Sequence, residues 1–194
     1  MIRAFLAVDL PKSYRNGLSE VQGYLKKSGA DVRWSSVDNI HLTLKFFGDI
    51  DASQIEAIIQ AAAGIARTTP PFLLGAEGVG AFPSFRNPRV IWLGLNGQTE
   101  SLTRLHRSLE QVFVPLGFPA EKRKFTPHLT LGRVRSNRGR EQLQQLLEGV
   151  VLPKFDDFSV TCVVLYRSTL RPQGSLYTVL QEIKLNGGKL TAGC

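Results

Sequence analysis

Apolar residues recur along this chain with two periods, and the switches between them outline a series of strands and helices. Residues 2–9 form an apolar run cut off by Asp9 and Pro11, which reads as a first strand. Pro11-Lys12-Ser13 then opens a helix to about Lys27, with Leu18, Val21 and Leu25 at helical spacing. Asp31–Trp34 is a short strand, and Asn39–Phe47 is a longer one ended by Gly48-Asp49. Ser53–Ala66 carries Ile55, Ile58, Ile59, Ala62 and Ile65 on one helical face. Strands are expected over Phe72–Ala81 and Arg89–Leu95, around the turn-rich Phe82–Pro88. A helix over Glu100–Val114 follows, with Leu102, Leu105, Leu109 and Val112 as its stripe. A strand begins at His128, a short helix covers Glu141–Leu147, and Phe155–Arg167 and Ser175–Leu185 read as closing strands. Residues 186–194 contain Gly187-Gly188 and little apolar content, so the domain is expected over 1–185 with a flexible tail behind it.

Two of these strands carry the same tetrapeptide, His41-Leu42-Thr43-Leu44 and His128-Leu129-Thr130-Leu131, and the chain has only three histidines. Side chains alternate faces along a strand, so each motif sets an imidazole beside a hydroxyl on one face and two leucines on the other. The motifs stand 87 residues apart, close to half of the 194-residue chain, and each is followed by a helix and then strands. That order predicts an α+β fold: a bilobal, pseudo-two-fold pair of antiparallel sheets flanked by helices, whose histidine strands face each other across a central cleft.

Composition narrows the setting. Hydrophobic and charged contents of 43% and 21% suit a globular domain. The net charge of +8 fits either an acidic partner (nucleic acid, a phosphorylated metabolite or an anionic membrane surface) or simply general solubility. No apolar run reaches the roughly 18 residues of a membrane span, and the first apolar run is too short for a signal-peptide core. Two cysteines, Cys162 within an apolar run and Cys194 at the end of the sequence, suggest no disulfide and fit a reducing cytoplasm.

Two imidazoles on one cavity form an acid–base pair. An ordinary pKa of about 6.5 lets one be neutral and the other cationic near pH 7. One removes a proton from water and the other protonates a leaving oxygen, which is what in-line displacement at phosphorus requires. The threonine hydroxyls can donate to non-bridging phosphate oxygens. Paired motifs of this kind resemble those of the two-histidine phosphoesterases. The context is similar to one branch in particular, the bacterial and archaeal RNA 2′,3′-cyclic phosphodiesterases, also labelled 2′-5′ RNA ligases. The stretches that carry the likeness are Arg3 to Pro11, His41 to Gly48 and Pro127 to Arg133. The resemblance implies a basic central cleft and metal-independent hydrolysis of an RNA 2′,3′-cyclic phosphate to a 2′-phosphate, with reverse 2′-5′ ligation at the same site. It implies that His41 protonates the departing 3′ oxygen and His128 activates water, with Thr43 and Thr130 holding the phosphate. It also places Phe46 where an aromatic stacks on the base, and Arg133 where an arginine binds phosphate. Strict alternation turns both of those side chains to the back, so each needs a bulge or strand end to reach the cleft. Otherwise Phe46 is core and Arg133 a solvated strand end.

Other features add less. Lys122, Arg123, Lys124, Arg133, Arg135, Arg138 and Arg140 gather around the second motif and fit either phosphate contacts or a solvated face. Arg86 and Arg89, near Trp92, fall where they could rim the cleft. His106 lies beside the stripe of an amphipathic helix and reads as structural or exposed. No cofactor is expected: there is no phosphate loop of the ATP-binding type, and no third histidine joins the motifs to make a zinc site. The expected partner is RNA with a 2′,3′-cyclic phosphate end or a small cyclic nucleotide, met by a monomer. The alternatives are a nucleotide- or RNA-binding module, and a phosphodiesterase for another 2′-5′ or cyclic phosphate substrate.

Overall fold

The computed structural model describes residues 1–172 and 174–186. Nine strands and four helices follow in the order β1 (Ile2–Val8), α1 (Tyr14–Lys26), β2 (Val32–Trp34), β3 (Leu42–Ile50), α2 (Gln54–Thr68), β4 (Phe72–Ser84), β5 (Asn87–Gly97), α3 (Thr99–Phe113), β6 (His128–Val134), α4 (Arg140–Gly149), β7 (Phe158–Val160), β8 (Cys162–Arg171) and β9 (Gly174–Lys184). The predicted stripes turn to the core: Leu18, Val21 and Leu25 are buried in α1, Ile58 and Ala62 in α2, and Leu102, Leu105 and Leu109 in α3, while Ile55, Ile59, Ile65 and Val112 are partly buried; α4 buries Leu143 and Leu147. These side chains join one core with Leu6, Leu42, Leu93, Leu129 and Leu165 from the strands.

The strands pair antiparallel in the order β7-β4-β5-β6-β3-β1-β8-β9, and β2 pairs with β6. One half-sheet is β3-β1-β8-β9 and the other β6-β5-β4-β7. They meet at a single pairing, Leu42 opposite Leu129, between the two histidine strands. Helix α1 packs on α4 and α2 on α3, a reciprocal pairing that fits the pseudo-two-fold arrangement. The two halves of the chain interdigitate. Strand β4 follows α2 yet joins the sheet of β6, while β8 and β9 follow α4 yet join the sheet of β1.

Two stretches depart from the expected boundaries. Phe82–Pro88 reads as a loop from its prolines and polar turn residues, but β4 and β5 continue through most of it as a hairpin, with Pro83 opposite Pro88. The expected strand from Phe155 breaks at Thr161 into β7 and β8, which belong to opposite half-sheets. Of the expected tail, Asn186 donates its amide to the Ala66 carbonyl at 3.1 Å, and 187–194 lie outside the described residues.

Candidate active site

The Leu42–Leu129 pairing fixes the relation of the motifs. Both leucines are almost fully buried, 1% and 0% exposed, so their neighbours in sequence turn to the opposite, open face. Continuing the antiparallel register by one residue carries His41 toward Thr130 and Thr43 toward His128. All four side chains therefore gather on one face at the centre of the molecule.

The strand then behaves alike after each motif. In β3 the register against β1 slips between Leu6/Lys45 and Ala7/Thr43, so that Leu44 and Lys45 are both buried in succession. In β6 the register against β5 slips between Ile91/Gly132 and Trp92/Thr130, and Leu131 and Gly132 are both buried. Each irregularity adds one residue and shifts the alternation by one. The residue five beyond each histidine, Phe46 in one half and Arg133 in the other, thereby turns to the same face as the histidine. Phe46 is 49% exposed, too open for a core residue, with the Arg3 guanidinium 4.7 Å from its ring centre. Arg133 is exposed as well. The two lie on opposite sides of the motif junction, because β3 and β6 run in opposite directions.

Each imidazole is oriented in the same way. His41 Nδ1 lies 2.8 Å from the Asn39 carbonyl, and His128 Nδ1 lies 2.7 Å from the Thr126 carbonyl. A carbonyl only accepts, so in the neutral ring Nδ1 carries the proton, and Nε2 is left to exchange a proton with a substrate. Aromatic rings hold the imidazoles in place. Phe5 stacks on His41 at 4.7 Å and Tyr177 meets it edge-on at 5.3 Å. Phe82 meets His128 edge-on at 5.1 Å, with Trp92 at 6.3 Å. Burial among these rings pushes the His41 pKa below its ordinary value, and the Asn39 hydrogen bond and the Asp9 charge only partly offset this. Asp9 itself accepts a hydrogen bond of 2.6 Å from the Tyr166 hydroxyl.

A buried brace backs the first motif. The Lys45 ammonium, turned inward by the bulge, pairs with Glu110 of α3 at 2.9 Å and donates to the Pro119 carbonyl at 2.7 Å. Glu110 also accepts from the Glu121 amide at 2.6 Å. His106 stacks on Phe125 at 3.8 Å, next to the Thr126 carbonyl that orients His128, so its role is structural. Residues 119–126 are thus pinned from behind.

The structure places His41, Thr43, His128 and Thr130 on one face at the junction, with Phe46 and Arg133 on the same face to either side of it. Lys122, Arg123 and Lys124 are exposed on the loop before the second motif, and Arg86 and Arg89 are exposed at the β4–β5 hairpin. Sequence reasoning missed Phe5, Tyr177, Phe82 and Trp92 as neighbours of the imidazoles; they come from β1, β9 and the β4–β5 hairpin and share no pattern. Among the described residues, no three His, Cys, Asp or Glu side chains converge in a metal-binding group. Next to the motifs lies a cleft of about 770 Å³ lined by β2, the segment 35–39, Arg133 and the β8–β9 hairpin, including Tyr177.

Comparison with known proteins agrees with this geometry. The model of the LigT-like phosphoesterases matches twice, over residues 8–92 and 93–177, with one histidine motif in each match. The chain is 39% identical over 184 residues to an RNA 2′,3′-cyclic phosphodiesterase of Methanothermobacter thermautotrophicus, covering 95% of this chain and 99% of that protein. Among solved structures, TT0787 of Thermus thermophilus superposes with a TM-score of 0.77 at 27% identity, covering 95% of this chain and 98% of the other. LigT of E. coli superposes with a TM-score of 0.76 at 28% identity, covering 94% and 96%, and has also been solved with 3′-AMP. Motif, fold and alignment coincide over nearly the whole chain, which belongs to the LigT-like phosphoesterase family.

Proposed function

We propose that this protein hydrolyses RNA 2′,3′-cyclic phosphate ends to 2′-phosphomonoesters by acid–base catalysis between its two motif histidines. The observation that carries the reading is the matched orientation of the imidazoles: each is tied through Nδ1 to the carbonyl two residues earlier, with Nε2 left for the substrate. The phosphorus lies between them, its non-bridging oxygens facing the Thr43 and Thr130 hydroxyls. His128 Nε2 takes a proton from water as the water oxygen attacks phosphorus. The bond from phosphorus to the 3′ oxygen breaks on the opposite side, and His41 delivers its proton to that oxygen. The products are a 2′-phosphomonoester and a 3′-hydroxyl, and the exchanged protons return through solvent. A 5′-hydroxyl RNA in place of water gives a 2′-5′ linkage at the same site.

His41 must be cationic to act as the acid, yet burial disfavours that form in the free protein. The negative charge of a phosphate bound beside the ring favours the cationic imidazole, so substrate itself supplies the charge that holds the proton on His41. Each histidine contributes on the order of 10²–10⁴-fold. Phe46 offers its open face to the terminal base, and Arg133 its charge to phosphate. The M. thermautotrophicus relative, named for this activity, and the 3′-AMP complex of E. coli LigT support the substrate class. Both histidines come from one chain, so the site is complete in a monomer, and a cytoplasmic setting fits a substrate that is RNA. No described helix is long and apolar enough to cross a membrane.

A substrate with sulfur in place of the bridging 3′ oxygen tests the assignment of roles. A thiolate leaves without a proton donor, so His41→Ala should regain most of its turnover on that substrate while His128→Ala stays inactive. Rescue of His128→Ala instead would reverse the roles.

A further inference from the structure

The cleft beside the motifs carries charge beyond the histidines and threonines that act on the reacting phosphate. Arg33 of β2 and Arg133 of β6 stand directly opposite each other in the strand register. Like charges placed so are mutually destabilising across a sheet. Arg171, at the end of β8, lines the same cleft from the far wall. All three are exposed, and among the described residues none of them forms an ion pair. Asp38 is the one carboxylate in the lining, and Arg15 already pairs with it at 3.1 Å. Three unneutralised guanidinium groups from three elements thus converge on one concavity. Such a grouping suits several phosphates in a row, since each guanidinium offers a planar fork of donors to phosphate oxygens.

The rest of the lining suits a nucleic-acid strand. The half-buried Trp34 and Tyr177 and the exposed Leu176 offer faces on which bases can rest, and Ser35 and Ser36 add hydroxyls. The position is also apt. The groove lies on the Arg133 side of the motif junction, opposite Phe46, and Tyr177 reaches from it to the edge of His41. Its hairpin wall is tied to the catalytic strand, because Asn39, whose carbonyl orients His41, donates its side-chain amide to the Ser175 carbonyl at 2.8 Å.

Resting on the function proposed above, we propose that this groove seats the RNA strand upstream of the cyclic end, with Arg33, Arg133 and Arg171 receiving successive phosphodiesters. The terminal nucleoside lies toward Phe46 and the chain leaves past Arg133. The enzyme then prefers oligonucleotide ends to cyclic mononucleotides.

The test compares a 2′,3′-cyclic mononucleotide with a hexanucleotide ending in the same group. The hexanucleotide should show a kcat/KM at least tenfold higher at low salt. Its logarithm should fall with log salt at a slope steeper by about two, near 0.7 per single-strand phosphate contact. In Arg33→Glu/Arg171→Glu the length preference should collapse toward unity and the slope should lose about 1.4. Equal kcat/KM for both lengths in the unaltered protein would overturn the proposal, as would an equal loss on both substrates in the variant. Binding separates the groove from the chemistry. A fluorescent hexanucleotide ending in a 2′-phosphate should bind His128→Ala at least fivefold more weakly once both arginines are reversed. Unchanged binding, or equally tight binding of an acidic peptide of the same charge, would contradict an RNA seat. If the unaltered protein hydrolyses neither length, the catalytic reading fails while the binding arm still decides the groove.

Discussion

At the level of single residues, the histidines and threonines were legible because a tetrapeptide repeated on two strands is improbable by chance and fixes the face that each side chain takes. Phe46 and Arg133 were not assignable from alternation, since the bulges that turn them to the open face of the histidines have no signature beyond Gly132. The exposed ring of Phe46 has a measurable role in the proposed mechanism. One stacked base contributes about 1–3 kcal/mol. Phe46→Ala should therefore raise KM roughly 5- to 150-fold with kcat little changed, and Phe46→Tyr should keep most of the affinity. Steady-state kinetics on a cyclic nucleotide checks both. Burial also makes stability depend on pH. His41 and His106 both have pKa values pushed down in the folded protein, chiefly by desolvation. Below their ordinary value of about 6.5, the unfolded chain binds protons that the folded state resists. Stability should thus be fully present above about pH 6.5 and fall as pH drops below it. Urea midpoints at pH 7.5 and 5.5 measure the change, and His106→Gln should reduce it. A midpoint rising toward acid would contradict the assignment.

At the level of elements, helical stripes were easy to read because four amphipathic helices each bury one face. Strands were harder, as the β4–β5 hairpin shows: its prolines suggest a loop, yet Pro88 is buried within the pairing. The Lys45–Glu110 pair had no sequence signal at all. Alternation from His41 puts Lys45 on the open face, and the bulge instead sends it inward to α3. Breaking a buried pair leaves an uncompensated charge, at a cost of about 3–5 kcal/mol. Lys45→Met should lower the unfolding free energy by that amount in urea titration, and Lys45→Met/Glu110→Leu should recover most of it. Gly132 is equally constrained. A Cβ there would come within 2.7 Å of Val32 and 3.0 Å of Trp34. Gly132→Ala should push β2 away from β6 at a cost of about 1–3 kcal/mol and lower activity by disturbing the bulge that aims Arg133. Unchanged stability and activity would show that the close packing of β2 is dispensable.

At the level of the whole molecule, the two-lobed α+β design followed from one spacing, that of the motifs. What the spacing could not show is the exchange of strands between the half-sheets, because pairing partners distant in sequence leave no local trace. That exchange welds the halves into one unit and leaves the motifs meeting at a single backbone pairing. In the proposed mechanism, that junction performs hydrolysis with protein groups alone. The most direct test is phosphorus NMR of a 2′,3′-cyclic nucleotide incubated with the protein in EDTA, beside His41→Ala and His128→Ala. The mechanism predicts conversion to a single 2′-phosphomonoester, slowed at least 10²-fold in both variants. No conversion by the unaltered protein between pH 5 and 9, or full activity in either variant, would contradict it.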